Sequence, residues 1–249
     1  MQLIDKVAFI TGAAAGIGLG IAERFAEAGA VVLLVDWDDN IGTSAAARLQ
    51  SQGKSAHFIQ ANLAEPADIT RAIESALALC GKLDIVVNNA ATFLGKPVEQ
   101  ITVAEWDFLM AVNLRAPFLV AQAALPALKA TRGTILNIGS TAALRVFSPN
   151  LPYITSKAGL ITMTKLLAQE LHPHRIRVNC ICPGAVDTPA LHRAIDSTPN
   201  GTAEWDRLHA QGYLTTPEQI AAVSLYLVSD EASAVTGSIV VADAGAMLS

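Results

Sequence analysis

What most constrains this chain is a series of short, uninterrupted apolar runs, of which Val31-Val32-Leu33-Leu34-Val35 is the clearest. A strand with one wet face alternates apolar and polar residues. A continuous run belongs to a strand covered on both faces, the state of strands in a parallel sheet flanked by helices. The runs are Val7–Thr11, Val31–Asp36, Ala56–Ala61, Ile85–Asn88, Thr134–Gly139, Arg177–Ile181 and Ile239–Ala242. Longer Ala-rich stretches with helical character lie between them, near Gly16–Ala28, Ile41–Gln52, Pro66–Leu79, Val103–Lys129, Tyr153–His172 and Pro217–Ser229. This alternation predicts right-handed crossovers and an α/β, doubly wound parallel sheet of about seven strands, with helices on both faces and one domain over residues 1–249.

Composition fits such a buried sheet. The chain is 52% hydrophobic and only 16% charged, which excludes a disordered polymer. The longest charge-free run, Val7 to Ala22, is about 16 residues and is interrupted by Gly12, Gly16, Gly18 and Gly20. That is short of the ~18–20 residues a spanning helix needs, so no membrane partner is expected. Seventeen basic against 22 acidic side chains give a net charge of −5 with no basic cluster, and no nucleic-acid partner is expected. Cys80, Cys180 and Cys182 do not make a disulfide framework. Cys180 and Cys182 share one face of a strand and read as buried small residues rather than a metal pair, so no metal site is expected. The N-terminus enters the first strand without a basic or apolar leader, which points to a cytoplasmic, reduced setting.

One stretch breaks the rhythm. Pro189 to Thr216 is polar and turn-rich, with Pro199-Asn200-Gly201 in its middle, and carries Leu191, His192, Trp205 and His209. A long irregular insertion in a compact domain is often a lid, and residues 189–216 are expected to cover a substrate.

Thr11-Gly12-Ala13-Ala14-Ala15-Gly16-Ile17-Gly18 joins the first strand to the first helix. Glycines here permit a tight turn and let backbone approach a pyrophosphate at the helix N-terminus. Such a junction is weak evidence alone, since any sharp turn uses glycine. The second strand, however, ends in Asp36, 24 residues after Gly12. A carboxylate there can accept from both hydroxyls of an adenine-linked ribose and repels a 2′-phosphate. Neither Trp37 nor the alanines at 13–15 offer a cation to hold that phosphate, so the expected cofactor is NAD rather than NADP.

Tyr153-Ile154-Thr155-Ser156-Lys157 puts a phenol and an ammonium at i and i+4, on one face of a helix. A cation beside a phenol favours phenolate and makes an acid/base group. With Asn88-Asn89-Ala90, Asn113, Ser140, Asn179, Pro183-Gly184 and Thr188, these motifs run from Val7 to Gly245. In order and spacing they resemble the short-chain dehydrogenase/reductase family in its compact form, with a Rossmann-type fold. Ser140 lies 13 residues and Asn113 lies 40 residues before Tyr153, spacings usual in that family.

The resemblance implies roles. Tyr153 is the expected acid/base, Ser140 the donor to the substrate oxygen, and Lys157 the residue that holds the nicotinamide ribose and lowers the Tyr153 pKa. Asn113 is expected to hold a water linking Lys157 to solvent. Gly12, Gly16, Ile17 and Gly18 face the pyrophosphate, with Asp36 and Trp37 at the ribose and Asn62, Leu63 and Val112 at the adenosine end. Asn89 and Ala90 lie along the cofactor, Pro183 and Gly184 border the nicotinamide, and Val186 and Thr188 grip its carboxamide. Alone, Ser140 reads as a strand-end cap and Asn113 as a helix amide bonded to backbone. The chain departs from the family's usual pattern at Asn62, Ala91 and Ala244, and none of these removes a catalytic group.

Substrate contacts are expected from Ser140, Ala142, Phe147, Asn150, Tyr153, Ala185, Leu191, His192, Trp205 and His209. Their mixture of hydrogen-bonding groups and rings suits a polyol, a sugar or a hydroxylated ring. The expected activity is NAD-dependent oxidation of a secondary alcohol, reversible as ketone reduction, by a homotetramer or dimer packed through the Val103–Lys129 and Tyr153–His172 helices. The alternatives are a 3-oxoacyl-type carbonyl reductase and a catalytically silent NAD-sensing protein.

Overall fold

In a computed structural model the seven apolar runs form one parallel sheet in the order β3-β2-β1-β4-β5-β6-β7. The strands are β1 Val7–Thr11, β2 Val31–Asp36, β3 Ala56–Gln60, β4 Ile85–Asn88, β5 Thr134–Ile138, β6 Arg177–Pro183 and β7 Ile239–Ala242. The structure describes residues 2–145, 150–196, 201–210, 212 and 214–248. The expected bounds hold to within two residues, β6 running on to Pro183 where Ile181 was expected to end it.

The helices are α1 Gly16–Glu27, α2 Asp39–Ser51, α3 Pro66–Cys80, α4 Val103–Met110, α5 Ala116–Thr131, α6 Leu151–Leu171, α7 Pro189–Asp196, α8 Gly201–Ala210 and α9 Pro217–Val228. They cover both faces of the sheet, and the pleat explains why the strand runs are continuously apolar. In β1, Ala8 and Ile10 join the core made with α1, α2 and α9, while Val7 and Phe9 join the core made with α3, α5 and α6. The first core brings α1 and α9 so close that a Cβ on Gly20 would lie 2.9 Å from Cβ of Pro217.

β1 pairs with β2 on one side and β4 on the other. The winding reverses between them, and this switch point at the carboxyl ends of the strands is where such sheets form a binding crevice. A polar thread crosses the floor below it. Asn88 Nδ2 donates to Asn137 Oδ1 at 2.9 Å, Asn137 Nδ2 to Thr164 Oγ1 at 2.9 Å, and Thr164 Oγ1 to the Leu160 carbonyl at 2.8 Å.

Two stretches differ from expectation. The single helix expected over Val103–Lys129 contains a π-turn at Ala111–Arg115, where the Ala116 N–H reaches back five residues to the Ala111 carbonyl. Residues Val103–Thr131 are long and apolar enough to cross a membrane by length and composition. Leu109, Ala116, Val120, Ala124 and Leu128, however, are buried within the protein. Pro189–Thr216 is helical rather than irregular, since it contains α7 and α8. Each is anchored by an apolar residue turned inward, Ile195 and Leu208, at 6% and 5% exposure.

Candidate active site

The glycine turn between β1 and α1 is fitted closely to the strand beside it. Gly12 has φ +63, and a Cβ there would lie 2.8 Å from Cα of Ala90. A Cβ at Gly18 would collide with the Gly12 carbonyl oxygen. Thr11 closes this junction: its Oγ1 accepts from the N–H groups of Asn89 at 3.0 Å and Ala90 at 3.1 Å. Asn89 spends its own Nδ2 on the Thr11 and Gly12 carbonyls, at 2.9 and 3.0 Å. Its side chain therefore shapes the turn from behind.

α1 begins at this turn with Ala15 as its N-cap, no side-chain cap and no acid in its first turn. Its free N–H groups and positive dipole end suit a phosphate. Asp36 stands beside them, with Oδ2 accepting from the Ala14 N–H at 3.1 Å and Oδ1 from the Trp37 N–H at 2.8 Å. Trp37 is 72% exposed. Leu63, Ala90 and Val112 line one crevice with Thr11 and Asn88. Asn62 is exposed, and its Oδ1 already accepts from the Ala64 N–H at 3.1 Å, so the bond expected to adenine has a local competitor. On the far side, a Cβ at Gly16 would lie 3.2 Å from Cγ2 of Thr188, which joins the turn to the segment after β6. Thr188 also caps α7, its Oγ1 accepting from the Leu191 N–H at 3.2 Å. Gly184 packs against Asp243, and Val186 is buried in a bridge to Thr215. Asp243 is followed by Ala244 at φ +53, a left-handed position that suits the family's usual glycine better. This uncapped helix start, glycine cradle and strand-end carboxylate fit a dinucleotide.

Ser140, Tyr153 and Lys157 meet at the carboxyl ends of β5 and β6. The Ser140 hydroxyl hydrogen-bonds the Tyr153 phenol and also accepts from the Ala142 N–H at 3.2 Å. The capping and catalytic readings of Ser140 thus hold together. Lys157 is 2% exposed, donates from Nζ to the Ile138 carbonyl at 2.7 Å and lies 5.8 Å from the Tyr153 ring centroid. Burial pulls its ammonium down to about 8. Burial also pushes the Tyr153 phenol above its ordinary value, against the smaller lowering by Ser140. This corrects the expectation that Lys157 draws the phenol down: the ammonium is bonded to Ile138, and desolvation of the phenol dominates.

Asn113 sits in the π-turn, fully buried. Its Oδ1 accepts from the Thr92 N–H at 2.8 Å, and its Nδ2 donates to the Thr92 carbonyl at 2.8 Å and to Ser156 Oγ at 3.2 Å. Ser156 in turn donates to the Tyr153 carbonyl at 2.7 Å. The side chain thus clamps the segment after β4 to the turn of α6 that carries Tyr153. No periodic pattern marks Thr92, Ser156 or Phe93, whose ring packs edge-on to Tyr153.

Of the expected substrate residues, Ala142 and Asn150 flank this cluster in sequence. Asn150 is 3% exposed, and its buried Oδ1 has no hydrogen-bond partner among the described residues. Ala185 uses its carbonyl to accept from the Thr215 N–H and hydroxyl. Leu191 is half-buried in α7. His192 Nε2 lies 2.6 Å from Asp187 Oδ1, so that nitrogen is engaged within the protein. Phe147 and the side chains of Trp205 and His209 lie outside the described residues. Cys180 and Cys182 share one face of β6 as expected, both sulfurs lying over Gly139, whose added Cβ would come within 2.8 and 2.9 Å of them. Among the described residues no group of three or more His, Cys, Asp or Glu side chains is arranged to hold a metal.

Fold and site together define a Rossmann-type oxidoreductase with a Ser–Tyr–Lys cluster at the carboxyl ends of β5 and β6, on the same edge of the sheet as the crevice at the switch point. The family described as enoyl-(acyl carrier protein) reductase matches residues 12–247. The chain is 36% identical over 248 residues to 2-(S)-hydroxypropyl-CoM dehydrogenase 3 of Xanthobacter autotrophicus, covering 98% of this chain and 97% of the relative. It is 36% identical over 242 residues to cyclopentanol dehydrogenase of a Comamonas species, covering 97% and 96%. The crystal structure of 3-ketoacyl-(acyl-carrier-protein) reductase from Brucella melitensis complexed with NADH superposes with a TM-score of 0.87 at 34% identity, covering 98% of both chains. The chain belongs to the short-chain dehydrogenase/reductase family.

Proposed function

We propose that the protein is an NAD-dependent dehydrogenase of secondary alcohols, working in reverse as a ketone reductase, within a single domain. The observation that carries this reading is the Ser140–Tyr153–Lys157 cluster standing beside the glycine cradle. When bound, the nicotinamide supplies the acceptor for the carbinol hydride. Ser140 donates to the substrate oxygen and steadies its developing charge. Tyr153 takes the hydroxyl proton in oxidation and returns it in reduction. Lys157, buried and hydrogen-bonded to the Ile138 carbonyl, keeps positive charge near the phenol as it ionises. Asn113 fixes the backbone of Tyr153 through Ser156 and so holds the phenol in line with Ser140.

Asp36 supports NAD over NADP, because its carboxylate is held where a 2′-phosphate would meet it and no cation stands at positions 13–15 or 37. The buried Asn150 oxygen, without a donor among the described residues, supports a ring substrate that carries a polar group beyond the reacting hydroxyl, since a buried acceptor lacking a donor is costly. The helices α7 and α8 form the cover of the substrate region, and a cytoplasmic location is part of the same reading. Reduction of a 3-oxoacyl group is the second reading, favoured by the name of the Brucella neighbour. The experiment mixes pure protein with NAD+ or NADP+ and a panel of secondary alcohols, polyols and 3-hydroxyacyl thioesters, following reduced-cofactor absorbance. Faster turnover of an alcohol with NAD+ is expected. A preference for NADP+ contradicts the Asp36 argument, and turnover restricted to the thioester favours the second reading.

A further inference from the structure

Phe93 is 48% exposed, yet it is not loose. Its ring centroid lies 5.6 Å from that of Tyr153 with an interplanar angle of 61°, an edge contact of the favourable kind. Behind it Gly95 has no side chain, and a Cβ there would come within 3.2 Å of the Phe93 ring. In front of it, the backbone of Thr92 is gripped at both N–H and C=O by the buried Asn113 amide, at 2.8 Å each. The same amide reaches Ser156, which bonds the Tyr153 carbonyl. One buried side chain thus fixes the backbones that carry both rings. An aromatic ring held in this way against the ring of the acid/base phenol, with almost half its surface open, offers a placed apolar surface next to Tyr153.

We propose that Phe93 is a specificity-determining wall of the alcohol site, packing its open face on the C–H surface of the substrate and favouring a compact alicyclic secondary alcohol over an open-chain polyol. This rests on the dehydrogenase reading above and narrows it. An apolar ring discriminates by contact area, and removing such a contact costs about 10–100-fold in kcat/KM, the range found for changes of one or two methylenes in an apolar pocket. An open-chain polyol, whose carbons carry hydroxyls throughout, offers the ring little to lose.

The test compares wild type, Phe93→Leu and Phe93→Ala at saturating NAD+, with cyclopentanol and glycerol as the two substrates. The pH profile of kcat and NADH binding by fluorescence are measured alongside. For cyclopentanol, kcat/KM is expected to fall about 10–100-fold in Phe93→Ala and less in Phe93→Leu. For glycerol it should change less than about threefold, with the pH profile and NADH binding preserved. Equal losses for both substrates, or a displaced pH profile, overturn the proposal in favour of a ring that only props Tyr153. An unchanged cyclopentanol rate overturns it as well. A wild type that binds NADH but turns over no alcohol sinks the dehydrogenase reading itself and this assignment with it, an outcome distinct from the other two.

Discussion

At the scale of single residues, the site is built from groups held away from their ordinary ionisation. Lys157 is a buried cation whose solvation is replaced by one carbonyl and nearby thiols. Folding lowers its pKa from 10.5 to about 8, so burial of the charge opposes folding below about 8, and that cost fades as pH rises toward 10.5. Lys157→Met removes this contribution. The difference in unfolding free energy between wild type and Lys157→Met should therefore move in favour of wild type by about 2–3 kcal/mol between pH 7 and 10. Chemical denaturation at the two pH values measures it, and a gap that does not change with pH contradicts the burial argument. The residue scale is also where the sequence was read best and worst. Tyr153, Lys157 and Ser140 were legible because their types and spacings are those the chemistry needs. Phe93 and the double bond of Asn113 to Thr92 were not, because a lone aromatic in an irregular segment has no period, and one amide can satisfy many different partners.

At the scale of elements, continuous apolar runs mark the inner strands such as β1, since a strand serving two cores needs apolar side chains on both faces, whereas the edge strands β3 and β7 keep exposed positions at His57, Gln60 and Val241. On helix α1, Gly20 lies where α9 crosses, leaving no room for a side chain against Pro217. Gly20→Val forces these helices apart and should destabilise the fold by about 1–3 kcal/mol, read as a lowered thermal midpoint. A midpoint equal to wild type would mean that the α1–α9 contact yields without cost. α7 and α8 are hard to read in the sequence because they are short, eight and ten residues, and the turn-forming Pro199-Asn200-Gly201 lies where α8 begins. The π-turn escaped the sequence reading because a one-residue slip in hydrogen-bond register leaves composition unchanged.

At the scale of the whole molecule, the apolar composition has two destinations. One is the sheet, covered on both faces. The other is exposed apolar surface. Phe118 and Leu166 stand on α5 and α6 around a groove of about 800 Å³ that also carries Asp107 and Arg115, and Phe108 is exposed on α4. Tyr226 on α9 and Val241 on the edge strand β7 are exposed elsewhere on the molecule. A face holding both an acid and a base can complement itself across a twofold axis, and the expected tetramer needs a second twofold contact elsewhere on the surface. Light scattering coupled to size exclusion should give four times the chain mass of 26.0 kDa. Phe118→Glu should reduce that mass, whereas a wild-type monomer would contradict the assignment of this face.

The claim on which the rest depends is that the Tyr153 phenol moves the proton of the reacting alcohol. It is tested by Tyr153→Phe, which keeps the ring, its packing on Phe93 and the cofactor cradle while deleting one oxygen. Turnover of the best alcohol with NAD+ and binding of NADH are measured on the same preparation. The account predicts a fall in kcat of about 10²–10⁴ with NADH affinity within a few-fold of wild type. Full activity in Tyr153→Phe would contradict it.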